Sequence, residues 1–129
     1  MHKSILSIIE KRNLVSIMNN TKWYELASEM DSKPEKEPTV SVKFLFEDQA
    51  TGFSLMDWEF GIKNCTAFEW VDINPIQQIR VGTLVADKQI SLHTYIETLL
   101  KKHSIPYSIE GECFRVWGYH ETGKSPKFV

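Results

Sequence analysis

The sequence predicts an α+β fold built on a mostly antiparallel sheet. Three observations predict it. Apolar residues near the N-terminus recur at helical spacing, and the middle of the chain instead alternates apolar and polar residues as strands do. One more helical segment follows, and two short extended segments around a turn predict a C-terminal β-hairpin. Because helices and strands come in blocks, we expect the N-terminal helices and the later helix to cover one sheet face.

The composition limits the domain organisation. The chain has 129 residues, of which 42% are hydrophobic and 25% are charged. A chain of this length buries about two-thirds of its unfolded surface in one core. We predict one domain over residues 1–119, with N-terminal helices at 3–30, a linker at 31–38 and the sheet with its later helix at 39–119. Residues 120–129 are predicted as a flexible polar tail.

The charge balance argues against nucleic acid and membrane partners. Fifteen Lys and Arg residues oppose seventeen Asp and Glu residues, for a formal charge of -2. Such a balance offers no global basic surface for phosphates or anionic lipids. The longest uncharged run, residues 13–21, is far shorter than the ~20 apolar residues of a membrane helix. We therefore expect a cytoplasmic protein.

The N-terminal region predicts helices separated by a bend. The isoleucines of residues 5–9 share one helical face, but the apolar pattern changes phase near Arg12 and Asn13. The short polar side chains of residues 19–21 can cap a second helix by accepting from its free N–H groups. Its apolar positions follow at i, i+3, i+4 and i+7: Trp23, Leu26, Ala27 and Met30. The prolines of residues 31–38 end this helix because proline lacks the N–H donor.

Strand patterns fill the middle of the chain. Residues 39–47 alternate most clearly between two faces, one of which carries Val40, Val42, Phe44 and Phe46. Weaker strand patterns follow at 53–60, 66–73 and 76–85, with a bend predicted at Gly82. Together they predict several antiparallel strands.

The C-terminal part predicts a helix and then a hairpin. Residues 91–103 carry an apolar stripe and end in basic residues, which favour a helix C-terminus. Pro106 ends this helix. Residues 107–110 and 113–119 are extended segments on either side of a turn at Gly111.

Sequence motifs for catalysis are absent. No nucleophile elbow, phosphate-binding loop, dinucleotide-binding glycine motif or metalloprotease helix pattern occurs. His93 and His103 lie about three helical turns apart, too far to share a metal. Cys65 and Cys113 have no zinc-ligand partner at short spacing, so we interpret them as reduced structural thiols. We expect no cofactor and no metal site, and the sequence favours a protein that is not an enzyme while leaving the question open.

Acidic residues concentrate in one region. Residues 44–72 contain six carboxylates and one lysine. Two of the carboxylates would share a face of one predicted strand, and two more would lie on the next. We predict that this acidic sheet region contacts a basic protein partner and that a tryptophan adds apolar contact area. A solvated face kept soluble by its charge is the alternative interpretation. The predicted contact residues are Asp57, Trp58, Glu59, Glu69 and Asp72.

Three segments carry a family resemblance: NLVSIMNNTKW at residues 13–23, FEWVDINP at 68–75 and LLKKHSIPYSIEGECFRVWGY at 99–119. In these segments the chain resembles a group of small, uncharacterised bacterial proteins with a single α+β domain. The resemblance covers most of the chain in order and contains no catalytic motif, so it implies no site residues. In size and acidity the chain is also similar in type to immunity proteins that neutralise bacterial toxins.

These observations lead to two main hypotheses. The first is a non-enzymatic, immunity-like protein–protein interaction module that presents its acidic region to a basic partner such as a nuclease toxin. The second is a small-ligand binder or enzyme with a carboxylate-lined pocket beside the sheet, using Glu59, Glu69 and Asp72. A homo-oligomer whose open sheet face pairs with itself is a third interpretation.

Overall fold

The computed structural model describes residues 3–86 and 88–129, and it has the predicted α+β architecture. The helices of these residues are α1 (Lys3–Arg12), α2 (Asn20–Ser32), α3 (Trp58–Asn64) and α4 (His93–Lys102), with short 3-10 turns at Pro34–Lys36 and Cys65–Ala67. The strands are β1 (Leu14–Ser16), β2 (Val40–Phe44), β3 (Phe68–Ile73), β4 (Ile76–Ile79), β5 (Lys88–Ser91), β6 (Tyr107–Glu110), β7 (Cys113–Trp117) and β8 (Tyr119–Glu121).

The strands form one main sheet and two ribbons. The main sheet has the order β2-β3-β7-β6, and every neighbouring pair is antiparallel. β1 pairs with β8, and β4 pairs with β5. The predicted C-terminal hairpin is confirmed as β6 and β7, and Gly111 at its turn has a positive φ of 61°.

Helices α2 and α4 cover one face of the main sheet, called here the core face. Val71 of β3 lies between Val42 and Val116 of the neighbouring strands, and all three are buried. The predicted apolar stripe of α2 is confirmed: Trp23, Leu26, Ala27 and Met30 are all buried. The Trp23 ring meets the Phe68 ring edge to face at 5.5 Å, which anchors α2 on the sheet.

The polar residues before α2 act as predicted. The Asn19 side chain accepts a hydrogen bond from the Lys22 backbone N–H at 2.8 Å, so it is the N-cap. The helix continues to Ser32, two residues into the predicted linker. The remainder of the linker is mostly exposed and contains the short 3-10 turn.

The predicted bend near Arg12 is present, but the segment that follows it is a strand. Asn13 has a φ of 56°, a left-handed conformation that commonly ends a helix. Leu14 then starts β1, which pairs with β8 instead of forming a helix. Within the stretch predicted as a flexible tail, His120 and Glu121 therefore belong to a strand. This pairing joins residues more than a hundred positions apart, which no local pattern reveals.

The strand predicted at residues 53–60 is wrong. In this stretch Ser54 makes a single bridge to Val40, and helix α3 begins at Trp58. The Asp57 side chain accepts from the backbone N–H groups of Glu59 and Phe60 at 3.1 and 3.4 Å. This N-cap stabilises a helix in a stretch that also alternates like a strand.

A β-bulge changes the face of the sheet on which the side chains of β3 lie. Lys43 lies opposite Trp70, but the next residue of β2, Phe44, lies opposite Phe68. Glu69 is therefore the extra residue of β3. As a result Phe68 returns to the core, whereas Glu69 joins Lys43 on the opposite side of the sheet, called here the polar face.

Gly118 allows the bulge to form. Its backbone N–H donates to the Glu69 carbonyl at 2.8 Å, and a Cβ at this position would overlap the carbonyl oxygen of Phe68. A side chain at position 118 would therefore push β3 away from the backbone that follows β7.

We predict that Gly118→Ala lowers the free energy of unfolding by about 3 kcal/mol, because β3 must move to relieve the overlap. Urea denaturation followed by circular dichroism measures this change. Gly52→Ala is the control, since a Cβ at Gly52 has no atom within 4 Å, and its effect should stay within about 0.5 kcal/mol. Equal effects of the two variants would contradict the prediction.

Strands β4 and β5 form an arm, called here the β4–β5 arm, whose described residues are 76–86 and 88–91. Ile90 at its base packs against the main core. Towards the tip, Val81, Leu84 and Val85 are 60%, 98% and 64% exposed. The tip therefore offers apolar side chains with little contact to the rest of the domain.

His103 joins α2 to the end of α4. Its Nδ1 lies 2.7 Å from Glu25 Oε2, and its Nε2 lies 2.9 Å from Glu29 Oε1. Lys102 Nζ also lies 3.0 Å from Glu29 Oε1. The hydrogen bonds from His103 and Lys102 lower the pKa of Glu29. The ionised Glu29 therefore adds stability above the ordinary pKa of a glutamate, and this stability is lost as the pH falls through the lowered pKa.

We predict that Glu29→Gln destabilises the fold by about 1 kcal/mol near pH 7 and by less once the pH has fallen through the lowered pKa of Glu29. Thermal and urea unfolding at several pH values test this. Glu35→Gln is the control because the exposed Glu35 side chain has no ion pair in the described residues. A difference between wild type and Glu29→Gln that stays constant with pH would rule out the ionised contact.

Candidate functional site

Glu69 is the centre of a buried ion-pair group. It is 4% exposed, and Lys43 at 9% is the other charged residue that the structure buries within the described residues. Arg12 Nη1 and Nη2 donate to Glu69 Oε1 and Oε2 at 2.9 and 2.7 Å. Lys43 Nζ donates to Glu69 Oε1 at 3.0 Å. Both carboxylate oxygens therefore accept from cations, as a buried charge requires.

Three separate elements bring these groups together. Arg12 is the last residue of α1, Lys43 lies on β2, and Glu69 is the bulge residue of β3. Arg12 Nη2 also lies 3.5 Å from Glu121 of β8, and Lys124 lies 3.1 Å from the other oxygen of Glu121. We call the five side chains, which alternate in charge, the charge network: Lys43, Glu69, Arg12, Glu121 and Lys124.

The charge network does not favour acid–base catalysis. Burial raises the pKa of Glu69, but the hydrogen bonds from Arg12 and Lys43 outweigh it, and the pKa is lowered overall. A carboxylate with a lowered pKa and occupied oxygens is a poor proton donor and a poor base. Burial also raises the pKa of both Cys65 and Cys113, which makes their thiols weak nucleophiles.

Asp72 is neutralised on the same polar face. It lies opposite Arg115 of β7, and Arg115 Nε and Nη2 donate to Asp72 Oδ1 and Oδ2 at 2.7 and 2.9 Å. The Arg115 guanidinium lies 4.2 Å from the centre of the Trp70 ring and 5.4 Å from that of Trp117. Trp117 Nε1 donates to the Ser108 hydroxyl at 2.8 Å. The middle of the polar face is thus a packed set of charged and aromatic groups, in which the buried Trp70 Nε1 has no hydrogen-bond partner among the described residues.

The structure does not bring the five predicted contact residues together on one surface. Glu69 and Asp72 lie on the polar face, where arginine and lysine side chains neutralise them. Asp57 and Glu59 lie at the start of α3, which packs against α2 and so belongs to the core-face side. The predicted aromatic contact, Trp58, is 2% exposed and forms part of the core.

Helix α3 exposes other apolar side chains around its carboxylates. The buried positions Trp58, Gly61 and Cys65 follow helical spacing, so the residues between them face solvent. The exposed set, called here the α3 surface, consists of Phe53, Leu55, Asp57, Glu59, Phe60 and Ile62. Sequence reasoning missed its apolar members because it assigned a strand period to this stretch. The i, i+3, i+7 spacing of the buried positions was the signal that could have found them.

A cleft of about 530 Å³ lies beside the charge network. Glu69 lines it, so one carboxylate of the predicted ligand pocket is at a cavity, whereas Glu59 and Asp72 are not among its lining residues. Trp70 and Trp117 contribute aromatic surface, and the volume lies within the usual range of small-molecule sites.

The described residues show neither a metal-binding cluster nor a membrane-spanning helix. Among the described residues, no three His, Cys, Asp or Glu side chains are arranged to hold a metal ion. No helix in the same part of the chain is both long and apolar enough to cross a membrane.

Comparison with known proteins finds one family. The family described as "Family of unknown function (DUF6678)" matches residues 5–123, which is most of the chain. No curated protein and no solved structure matches the chain.

We predict that Glu69→Gln lowers the free energy of unfolding by about 3 kcal/mol, because it leaves two cations beside a buried neutral amide. Chemical denaturation at neutral pH measures the loss. Glu59→Gln is the matched control, since Glu59 is 79% exposed in its pair with Lys63, and it should change stability by less than about 0.5 kcal/mol. A Glu69→Gln protein as stable as the control would show that the ion pairs do not support the fold.

Proposed function

We propose that this chain, which belongs to the DUF6678 family of unknown function, is a non-enzymatic protein–protein interaction module. Its proposed contact site is the α3 surface. One observation supports this site above others: large apolar side chains stay exposed around two exposed carboxylates on a single short helix and the segment before it.

The α3 surface exposes four large apolar side chains. Leu55 is 63% exposed, Phe53 and Phe60 are each 48% exposed, and Ile62 is 36% exposed. A neighbouring group of exposed apolar side chains is typical of a surface that a partner covers. Aromatic side chains in such a surface supply much of the binding energy when the interface excludes water.

The charge of this surface favours a basic partner. Asp57 and Glu59 are both exposed, and Lys63 at 3.5 Å offsets part of the charge of Glu59. Because Lys63 is 72% exposed, water weakens this offset. A basic partner would meet complementary charge and exposed apolar area on the same surface. An immunity-like role, in which the chain blocks a basic toxin, is the specific form of this proposal.

The chemistry of the buried groups supports a role without catalysis. Glu69 is held ionised by two cations, and neither cysteine has a lowered pKa. Binding explains the exposed α3 surface without requiring a reactive group.

We predict that the double change Leu55→Ser and Phe60→Ser weakens capture of the partner at least tenfold, because it removes two of the exposed apolar side chains of the surface. The full chain is immobilised, incubated with lysate of its source cells, and crosslinked, and the partner residues are mapped by mass spectrometry. Val81→Ser with Leu84→Ser in the β4–β5 arm is the matched control, since it removes two exposed apolar side chains elsewhere.

Each outcome of this comparison has a clear meaning. Loss of a stoichiometric partner in the α3 variant alone, with crosslinks to α3, supports the proposal. Loss in the arm variant alone would move the contact to the arm and refute the α3 site. Because Asp57 caps α3, Glu59→Lys is the cleaner charge variant, and it should slow association most at low salt.

A further inference from the structure

The floor of the cleft carries an excess positive charge. Arg12 and Lys43 both bind Glu69, so two cations share one buried carboxylate. Lys43 Nζ has three N–H groups and uses two of them, on Glu69 and on the Phe44 carbonyl at 2.8 Å. The Arg12 side chain is 35% exposed, so part of its guanidinium remains accessible. The floor therefore offers spare N–H donors to an anionic group.

The rim of the same cleft has the opposite charge. Glu47 and Asp48 follow β2, line the cleft and are exposed. Neither carboxylate has an ion pair among the described residues, whereas Glu121 pairs with both Lys124 and Arg12. The polarity of the cleft therefore changes with depth, from positive at the floor to negative at the rim.

Aromatic side chains line the space between these charges. Trp70 and Trp117 both line the cleft, and their ring centres lie 5.3 Å apart. Leu45 adds a buried aliphatic group at the same cavity. These side chains suit a ligand with an apolar or planar body.

We propose that the cleft binds a small zwitterion, such as an amino acid or a short peptide, with its carboxylate at Arg12 and Lys43 and its ammonium group at Glu47 and Asp48. A ligand with only an anionic group would meet repulsion at the rim. A ligand with only a cationic group would meet repulsion at the floor. This site is separate from the α3 surface and goes beyond the proposed interaction function.

The test compares three ligands that share the phenylalanine side chain and differ in the charge of their amino or carboxyl group. Isothermal titration calorimetry is run with L-phenylalanine, with N-acetyl-L-phenylalanine, which lacks the cation, and with L-phenylalaninamide, which lacks the anion. L-leucine and glycyl-L-phenylalanine extend the set to an aliphatic side chain and a dipeptide. We expect at least one zwitterion to bind and its singly charged analogues to bind at least tenfold more weakly.

A protein variant then locates the site. Glu47→Gln with Asp48→Asn changes two exposed side chains, so the fold should remain intact by circular dichroism. It should weaken the zwitterion about tenfold and leave the N-acetyl analogue unchanged or improved. Leu55→Ser with Phe60→Ser should bind the zwitterion like the wild type, which keeps this test separate from the proposed partner contact.

Two results would overturn the proposal. The first is no binding of any zwitterion at millimolar concentration. The second is equal binding of all three phenylalanine compounds, which would show recognition of the ring alone.

Discussion

The fold depends on the β-bulge at Glu69 and on the close approach of Gly118 to the same stretch of backbone. Without the extra residue, the regular alternation of β3 would place Phe68 and Trp70 on the same face. With it, Phe68 fills the core and Glu69 turns to the polar face, where Arg12 and Lys43 bind it. These ion pairs connect α1, β2 and β3 beside a smaller apolar cluster, in which Ile5 of α1 packs with Leu45 after β2 and Ala67 before β3.

The near-neutral net charge of the chain hides a specific arrangement of charged side chains on the polar face. The carboxylates that the sequence places in one acidic region are divided between two situations in the structure. Glu69 and Asp72 are bound by cations from α1, β2 and β7, so their charges serve the fold. Asp57 and Glu59 remain exposed on α3 and stay available to a partner. Counting charges along a chain therefore overestimates an acidic surface whenever basic residues distant in sequence fold back onto it.

The two binding surfaces proposed for this chain have different physical bases. The α3 surface exposes large apolar side chains together with carboxylates, a combination that suits a protein partner. The cleft is concave and lined by charges of both signs beside two indole rings, which suits a small charged molecule. Helix α3 packs against α2 on the core-face side, whereas the cleft opens beside the polar face. A bound ligand and a bound partner would therefore not compete for the same residues.

By itself, the sequence determined the α+β class, the capped helix α2 with its buried stripe, and the C-terminal hairpin with Gly111 at its turn. These features follow from spacing, capping and turn residues within a few positions of one another. The tertiary structure alone decided the β1–β8 pairing, the bulge and the partners of the carboxylates. Arg12 and Glu69 are 57 residues apart, and Asp72 and Arg115 are 43 apart. For α3 the local sequence pattern and the tertiary structure disagree. The stretch alternates like a strand, but Asp57 caps a helix whose Trp58 is buried in the core.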